Sequence, residues 1–220
     1  QGKGQRPPLG ATPWSIRNSQ PSYNVSKTVF MAGGTTGIGA ATLQLLLREG
    51  STIHCACRSP ERLPASPQIQ GLPFDVTNPS PVDGLPDKLD GFVYFPGTIT
   101  LKPFRRLTGD DFLHDYQVNV LGAASLLQQV LPSLLRSEQA SIIFFSSVAA
   151  QSGLPFHASI SAAKAALEGL TRSLAAELAP QVRVNAIAPS LTRTPLADSL
   201  TNSTSKLENS ARRHPLNRIG

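Results

Sequence analysis

The chain has 220 residues, 40% apolar and 15% charged, with a formal net charge of +6. That length fits one α/β domain, and the apolar content excludes a disordered chain. No run approaches the roughly 18 apolar residues of a membrane-spanning helix, and the sparse aromatics, not interleaved with basic residues, argue against a nucleic-acid partner.

In chain order, residues 1–27 form a basic, flexible extension ahead of a domain at 28–220. The first acidic residue is Glu49, preceded by Lys3, Arg6, Arg17, Lys27 and Arg48. An acid-poor, basic, hydroxyl-containing leader fits an organelle transit segment, plastid or mitochondrial, or its mature remnant. It fits a plain basic arm on a cytoplasmic protein equally well. The sequence starts with Gln1, so a processed or incomplete chain is expected.

Thr28–Ala32 reads as a first strand, 33–39 as a glycine-rich turn, and 40–49 as a helix with Leu43, Leu46 and Leu47 at helical spacing. Residues 52–57 read as a second strand, with Cys55 and Cys57 on one face. They read as free thiols of a reducing compartment, because a strand does not offer disulfide geometry. They also lack the spacing and histidines of a metal site. A weak third strand follows at 69–74 and a fourth strand at 92–95. Between Asp75 and Asp90, Pro79, Pro81 and Pro86 predict a reduced or absent helix. A long helix is expected over 107–135, a dense apolar strand over 141–145, a helix over 159–178 with Ser159 as its N-cap, and a last strand over 183–188. Strands alternating with helices predict an α/β fold: a doubly wound parallel sheet, Rossmann-like, in a single domain. The unbroken apolar run 142–145 suits a strand buried on both faces.

The turn Gly33-Gly34-Thr35-Thr36-Gly37-Ile38-Gly39 joins a strand to a helix. Glycines at 33, 37 and 39 permit a tight turn and let the backbone approach a pyrophosphate at the positive end of the helix. Gly33, Thr35, Gly37, Ile38 and Gly39 are therefore candidate dinucleotide contacts. A plain strand-to-helix connection is the competing reading.

With these blocks in this order, the chain resembles the short-chain dehydrogenase/reductase family. Asp75-Val76 resembles the family's adenine-side acidic block after the third strand. Tyr94-Phe95-Pro96-Gly97 stands where the family has Asn-Asn-Ala-Gly, and only Gly97 is kept. Asn119 resembles the mid-helix active-site asparagine, Ser147 the catalytic serine, and Lys164 the catalytic lysine. Pro189, followed by Ser190 where the family has glycine, and Thr194 resemble the nicotinamide-side loop. The resemblance implies a dinucleotide cofactor, a small carbonyl or alcohol substrate, and a homo-oligomer or a subunit of a protein complex. It implies partner-facing stripes on the long helices, here Leu126, Leu127, Val130 and Leu134, and Ala162, Ala166, Gly169 and Leu170. In the slot where the family's acidic residue meets the ribose 2′-hydroxyl stands Cys57, followed by Arg58. That pattern implies NADP over NAD, against the plainer reading of a solvated arginine.

The resemblance also exposes a departure. The family's tyrosine lies 13 residues after the serine and four before the lysine, and both counts land on Ile160, which has no titratable group. His157, about two helical turns before Lys164, is a candidate substitute donor, against the plainer reading of a loop histidine. The sequence ends at Arg218-Ile219-Gly220, ahead of the family's last helix and edge strand, so the sheet is expected to lack that strand. Two functions stay open: an NADP(H)-dependent oxidoreductase with an atypical donor, and a non-catalytic nucleotide-binding or structural subunit.

Overall fold

The computed structural model describes residues 26–220, so all but the last two residues of the basic extension lie outside the described residues. Strand β1 is Thr28–Ala32, followed by helix α1 at Gly37–Arg48, β2 at Thr52–Cys57, β3 at Ile69–Pro73 and β4 at Gly91–Tyr94. Helix α2 spans Gly109–Tyr116 and α3 Gly122–Leu134, then come β5 at Ala140–Phe145, the short α4 at Ala149–Ser152 and α5 at Ala158–Leu178. Strand β6 is Val182–Ile187, and α6 at Asp198–Thr201 and α7 at Thr204–Arg212 follow.

The strands make one six-stranded sheet in the order β3-β2-β1-β4-β5-β6, and every pairing is parallel. The doubly wound Rossmann-like fold expected from the sequence is present, with β6 at the edge. Alternation along β1 explains why both faces need helices. Phe30 and Ala32 enter one apolar layer, with Leu126, Val130, Leu134 and Leu167 of α3 and α5. Val29 and Met31 enter the other, with Leu43 of α1. A row of rings crosses the first layer: Phe30 stacks on Phe92 at 6.1 Å, and Phe92 meets Phe144 edge-on at 6.3 Å. Chain order reverses between β1 and β4, which places a crevice at their C-terminal ends.

The structure alters several expectations. The helix expected over 107–135 starts at Gly109, because the Thr108 hydroxyl and the Asp111 carboxylate close a capping box. It is interrupted by a single π turn at Gln117–Leu121. Helix α5 starts one residue early, and its N-cap residue is His157 rather than Ser159. Ser159 lies inside the first turn, where its hydroxyl is drawn to buried acceptors. Leu126, Leu127, Val130 and Leu134, assigned to a partner, are instead core: at most 3% exposed, they are the face that α3 lays on the sheet. Phe112, Leu113 and Tyr116 of α2, Leu121 of the π turn and Leu135 after α3 are exposed apolar residues of this region.

No helix forms between β3 and β4, as the prolines predict. The segment is stapled to α3 instead. The Val82 amide donates to Gln129 Oε1 at 2.8 Å, and the Ser133 hydroxyl donates to the Pro86 carbonyl at 2.6 Å. Among the described residues no helix is long and apolar enough to cross a membrane, and both cysteines are free.

Candidate functional site: a dinucleotide cleft beside a buried polar cluster

At the end of β1 the Gly33 amide donates to the Ala56 carbonyl at 2.8 Å, and the chain turns with φ of +79° at Gly33 and +57° at Gly37. Glycine adopts that region without strain. A Cβ on Gly39 would lie 2.4 Å from the Gly33 carbonyl oxygen, so the helix packs against the strand end as only glycine allows. Helix α1 begins at Gly37 with no side-chain cap and no acidic residue in its first turn. The first amides of the helix, around Ile38, are left for an anion at its positive end. Thr35 lies in the same turn. Thr194 reaches over this turn from the loop after β6, since a Cβ on Gly37 would meet its Cβ and Cγ2 at 3.3 Å. That loop is held at both ends: the Val148 amide donates to the Pro189 carbonyl at 3.2 Å, and the Arg193 amide donates to the Gly220 carbonyl at 2.8 Å.

On the other side of the turn, β2 and β3 end next to each other. Arg58 is exposed there, as is Asp75. The Thr77 hydroxyl and amide, at 2.7 and 2.9 Å, hold the Asp75 carboxyl below the usual carboxylate range, and the Arg58 charge adds to this. Val76 is half-buried and sits against Gly122, where a Cβ would come within 2.9 Å of its own.

The second group of residues centres on Gly97. A Cβ there would lie 3.2 Å from Asn119 Oδ1 and 3.3 Å from Lys164 Nζ, so the two side chains meet over that glycine. Asn119 belongs to the π turn, is fully buried, and donates through Nδ2 to the Asp115 carbonyl at 2.8 Å and to Thr98 Oγ1 at 2.9 Å. Its Oδ1 has no partner. The widened turn also offers the Val118 carbonyl, which accepts from the Tyr94 phenol at 2.6 Å. Lys164, 7% exposed, donates to the Phe145 carbonyl at 2.7 Å. Burial pushes its ammonium down to about 8, with the Asp115 charge opposing.

Ser147 follows β5 two residues after Phe145, and its Oγ accepts from the Ala149 amide at 3.2 Å. Ile160, one turn before Lys164 on α5, is buried. His157 does not join the cluster. Its Nδ1 meets the Pro155 carbonyl at 2.7 Å, and since a carbonyl only accepts, that nitrogen carries the proton.

The sequence did not single out Asp115, Thr98 or Thr100, and it read Ser159 only as a helix cap. Asp115 is fully buried and accepts from the Thr98, Thr100 and Ser159 hydroxyls at 2.5, 2.7 and 2.6 Å. One signal was present: an acid four residues before Asn119 lies on the same helical face.

Lys164 makes stability depend on pH. Its folded value, about 8, lies below the 10.5 of the open chain. The unfolded chain therefore binds the proton more tightly, and stability rises as pH climbs from about 8 to 10.5. Between pH 7 and 10.5, urea unfolding should show wild type gaining about 3 kcal/mol on Lys164→Met. A difference that stays flat with pH contradicts this.

Residues 32–220 match the family model described as Enoyl-(Acyl carrier protein) reductase. The 3-oxoacyl-(acyl-carrier-protein) reductase FabG of Thermotoga maritima is 30% identical over 210 residues, covering 88% of this chain and 85% of that protein. A tropinone reductase homologue of Arabidopsis thaliana is 33% identical over 205 residues, covering 85% of this chain and 74% of that protein. Among solved structures, the Pseudomonas aeruginosa RhlG/NADP active-site complex aligns with a TM-score of 0.79 at 28% identity, over 89% of this chain and 85% of that one. The ligand-free aldohexose dehydrogenase of Thermoplasma acidophilum aligns with a TM-score of 0.78 at 26% identity, over 89% and 82%. A family match over nearly the whole described chain, on a parallel sheet of this order, makes the chain a member of the short-chain dehydrogenase/reductase family.

Proposed function

We propose that the chain binds NADP(H), in preference to NAD(H), across the C-terminal ends of β1, β2 and β4. The observation that carries this is the start of α1 at Gly37, which has no side-chain cap and packs through Gly39 against the Gly33 carbonyl. An anionic pyrophosphate fits the amides of such a start. Arg58 offers a charge for a ribose 2′-phosphate, where Cys57 leaves no carboxylate to repel it. RhlG, 28% identical, is solved as an NADP complex, which supports the preference.

Bound, such a cofactor would supply a hydride to a carbonyl carbon. Toward that chemistry the chain offers the Ser147 hydroxyl for a substrate oxygen, the Lys164 ammonium as a donor to a hydroxyl or water oxygen, and Asn119 Oδ1 as an acceptor for a hydroxyl or water hydrogen. At position 160, where the family resemblance places its phenol, it offers only a buried isoleucine. The reading is therefore a dinucleotide-binding member without the family's proton donor, a pseudoenzyme. A catalytic reading has one observation in its favour: the Lys164 ammonium, down to about 8, is able to release a proton near neutral pH.

Titration with NADPH, beside NADPH consumption with a panel of small carbonyl compounds, separates the two. Tight binding without consumption is expected. Consumption that Lys164→Ala abolishes would overturn the pseudoenzyme reading.

Arg58 carries a second expectation. A hydrogen bond to a charged group is worth about 1.5–3 kcal/mol, on the order of ten- to hundredfold in affinity. Arg58→Ala should lose that factor for NADPH and leave NADH affinity unchanged. Equal affinities of the intact protein for both cofactors refute the preference.

A further inference from the structure

Two loops run on from the cleft and meet at one corner of the molecule. Residues 98–106 follow Gly97, and residues 153–157 lead from α4, after Ser147, into α5. The Lys102 amide donates to the Phe156 carbonyl at 3.1 Å, which ties the two loops side by side. The Lys102 ammonium pairs with the Asp111 carboxylate at 2.5 Å, and the Ser159 hydroxyl donates to the Asp111 carbonyl at 3.1 Å. The first turns of α2 and α5 therefore brace the same corner.

From this corner large apolar side chains stand in water. Phe104 is 75% exposed, Phe156 58% and Leu154 45%. Phe156 is also held at φ of +70°, in the left-handed region that a bulky residue enters only at a cost. Glycine meets such a turn without strain, as Gly153 does three residues earlier at φ of +64°. Neither packing nor backbone geometry accounts for an aromatic ring at position 156. Beside Phe104, Arg105 and Arg106 are exposed and have no ion-pair partner among the described residues. Of the two acids that open α2, Asp111 is taken by Lys102 and by the Thr108 capping box, which leaves Asp110.

We propose that this corner docks the protein on an anionic lipid surface. Phe104, Leu154 and Phe156 enter the headgroup boundary, while Arg105 and Arg106 meet the negative charges of the lipid. The apolar side chains stand on two separate loops. A fluid bilayer accepts them without a matched shape, whereas a protein partner would have to supply shape complementarity. The contact is peripheral, and no described helix is long and apolar enough to cross the bilayer. It is independent of the NADP(H) reading.

The test is co-sedimentation of the full chain with two kinds of vesicle, pure phosphatidylcholine and an equal mixture of phosphatidylcholine and phosphatidylserine. The protein should bind the mixed vesicles, stay in solution with the neutral ones, and bind less tightly as salt rises from about 0.1 to 1 M. Phe104→Ser combined with Phe156→Gly should weaken binding at least tenfold. Arg105→Gln and Arg106→Gln should each weaken it about fivefold. Phe156→Gly alone should lower vesicle affinity without lowering the urea midpoint, because glycine suits the backbone there. A ring that served only the fold would give the opposite pattern.

Lys3, Arg6 and Arg17 lie outside the described residues and also carry positive charge. The same series is therefore repeated with all three replaced by Gln, and the dependence on Phe104, Phe156, Arg105 and Arg106 should persist. Binding that survives loss of both rings overturns the proposal. So does binding that vanishes with the three Gln replacements while the corner is intact. A protein that stays in solution with both kinds of vesicle overturns it as well, and leaves the corner to a protein partner.

Discussion

Ile160→Tyr is expected to raise NADPH-dependent reduction of a small carbonyl compound by about 10²–10⁴-fold, the usual contribution of a positioned general acid. Position 160 lies on α5, one turn before Lys164, and both side chains are buried. A phenol there would stand beside an ammonium that is already poised near neutral pH. That charge would favour the phenolate and bring the phenol's acidity toward the working range. The larger ring will crowd the pocket, and overpacking costs about 1–3 kcal/mol of stability. The urea midpoint should fall slightly while NADPH affinity is kept. A folded variant that binds NADPH and still reduces nothing would show that Ile160 is not the only lesion. The altered Tyr94–Gly97 segment, which departs from the family in three of four residues, would then be the next place to repair.

Asp115→Ala should be the most damaging single change to stability in the site, at about 3–5 kcal/mol. The carboxylate is fully buried and accepts from three hydroxyls. Its charge is also what favours the protonated form of Lys164. Removing it leaves a buried ammonium without its counter-charge and three hydroxyls without their acceptor. The Lys164 ammonium should then titrate lower still. Asp115→Asn keeps the shape and one acceptor oxygen, so it should cost less, about 1–3 kcal/mol. The check is chemical denaturation of the three proteins at one pH. A loss below about 1 kcal/mol for Asp115→Ala would show that water replaces the carboxylate.

The strands, the glycine turn and the order of the family's blocks are legible in the sequence because each is written in local pattern. Apolar runs, glycine spacing and proline clusters act over a few residues. What the sequence hid depends on register between distant elements. The four leucine and valine positions of α3 form an apolar stripe whichever way they face, and only packing on Phe92 and Ile142 shows that the sheet takes all of them. Asp115 reads as one more acid on a solvated helix until the π turn and the start of α5 bring Thr98 and Ser159 to it. Ser159 reads as a cap for the same reason. A serine before an apolar helix is a capping signal, but here a buried carboxylate is the stronger acceptor.

The all-parallel order of the sheet has a consequence for how the chain assembles. Among the described residues no strand pairs with its sequence neighbour through a hairpin. At the junction of β1 and β4, the Thr28 amide reaches Asp90, 62 residues away. Such long-range closures lose chain entropy before any contact forms, so folding should be slow for a domain of this size. A chain emerging from the ribosome can pair β1 with β2 early. The hydrophobic edges of β1 and β4 wait for each other, and β5 remains an open edge until β6 is made. Through that interval the apolar run Ile142–Phe145 is the segment most exposed to pairing with the wrong chain.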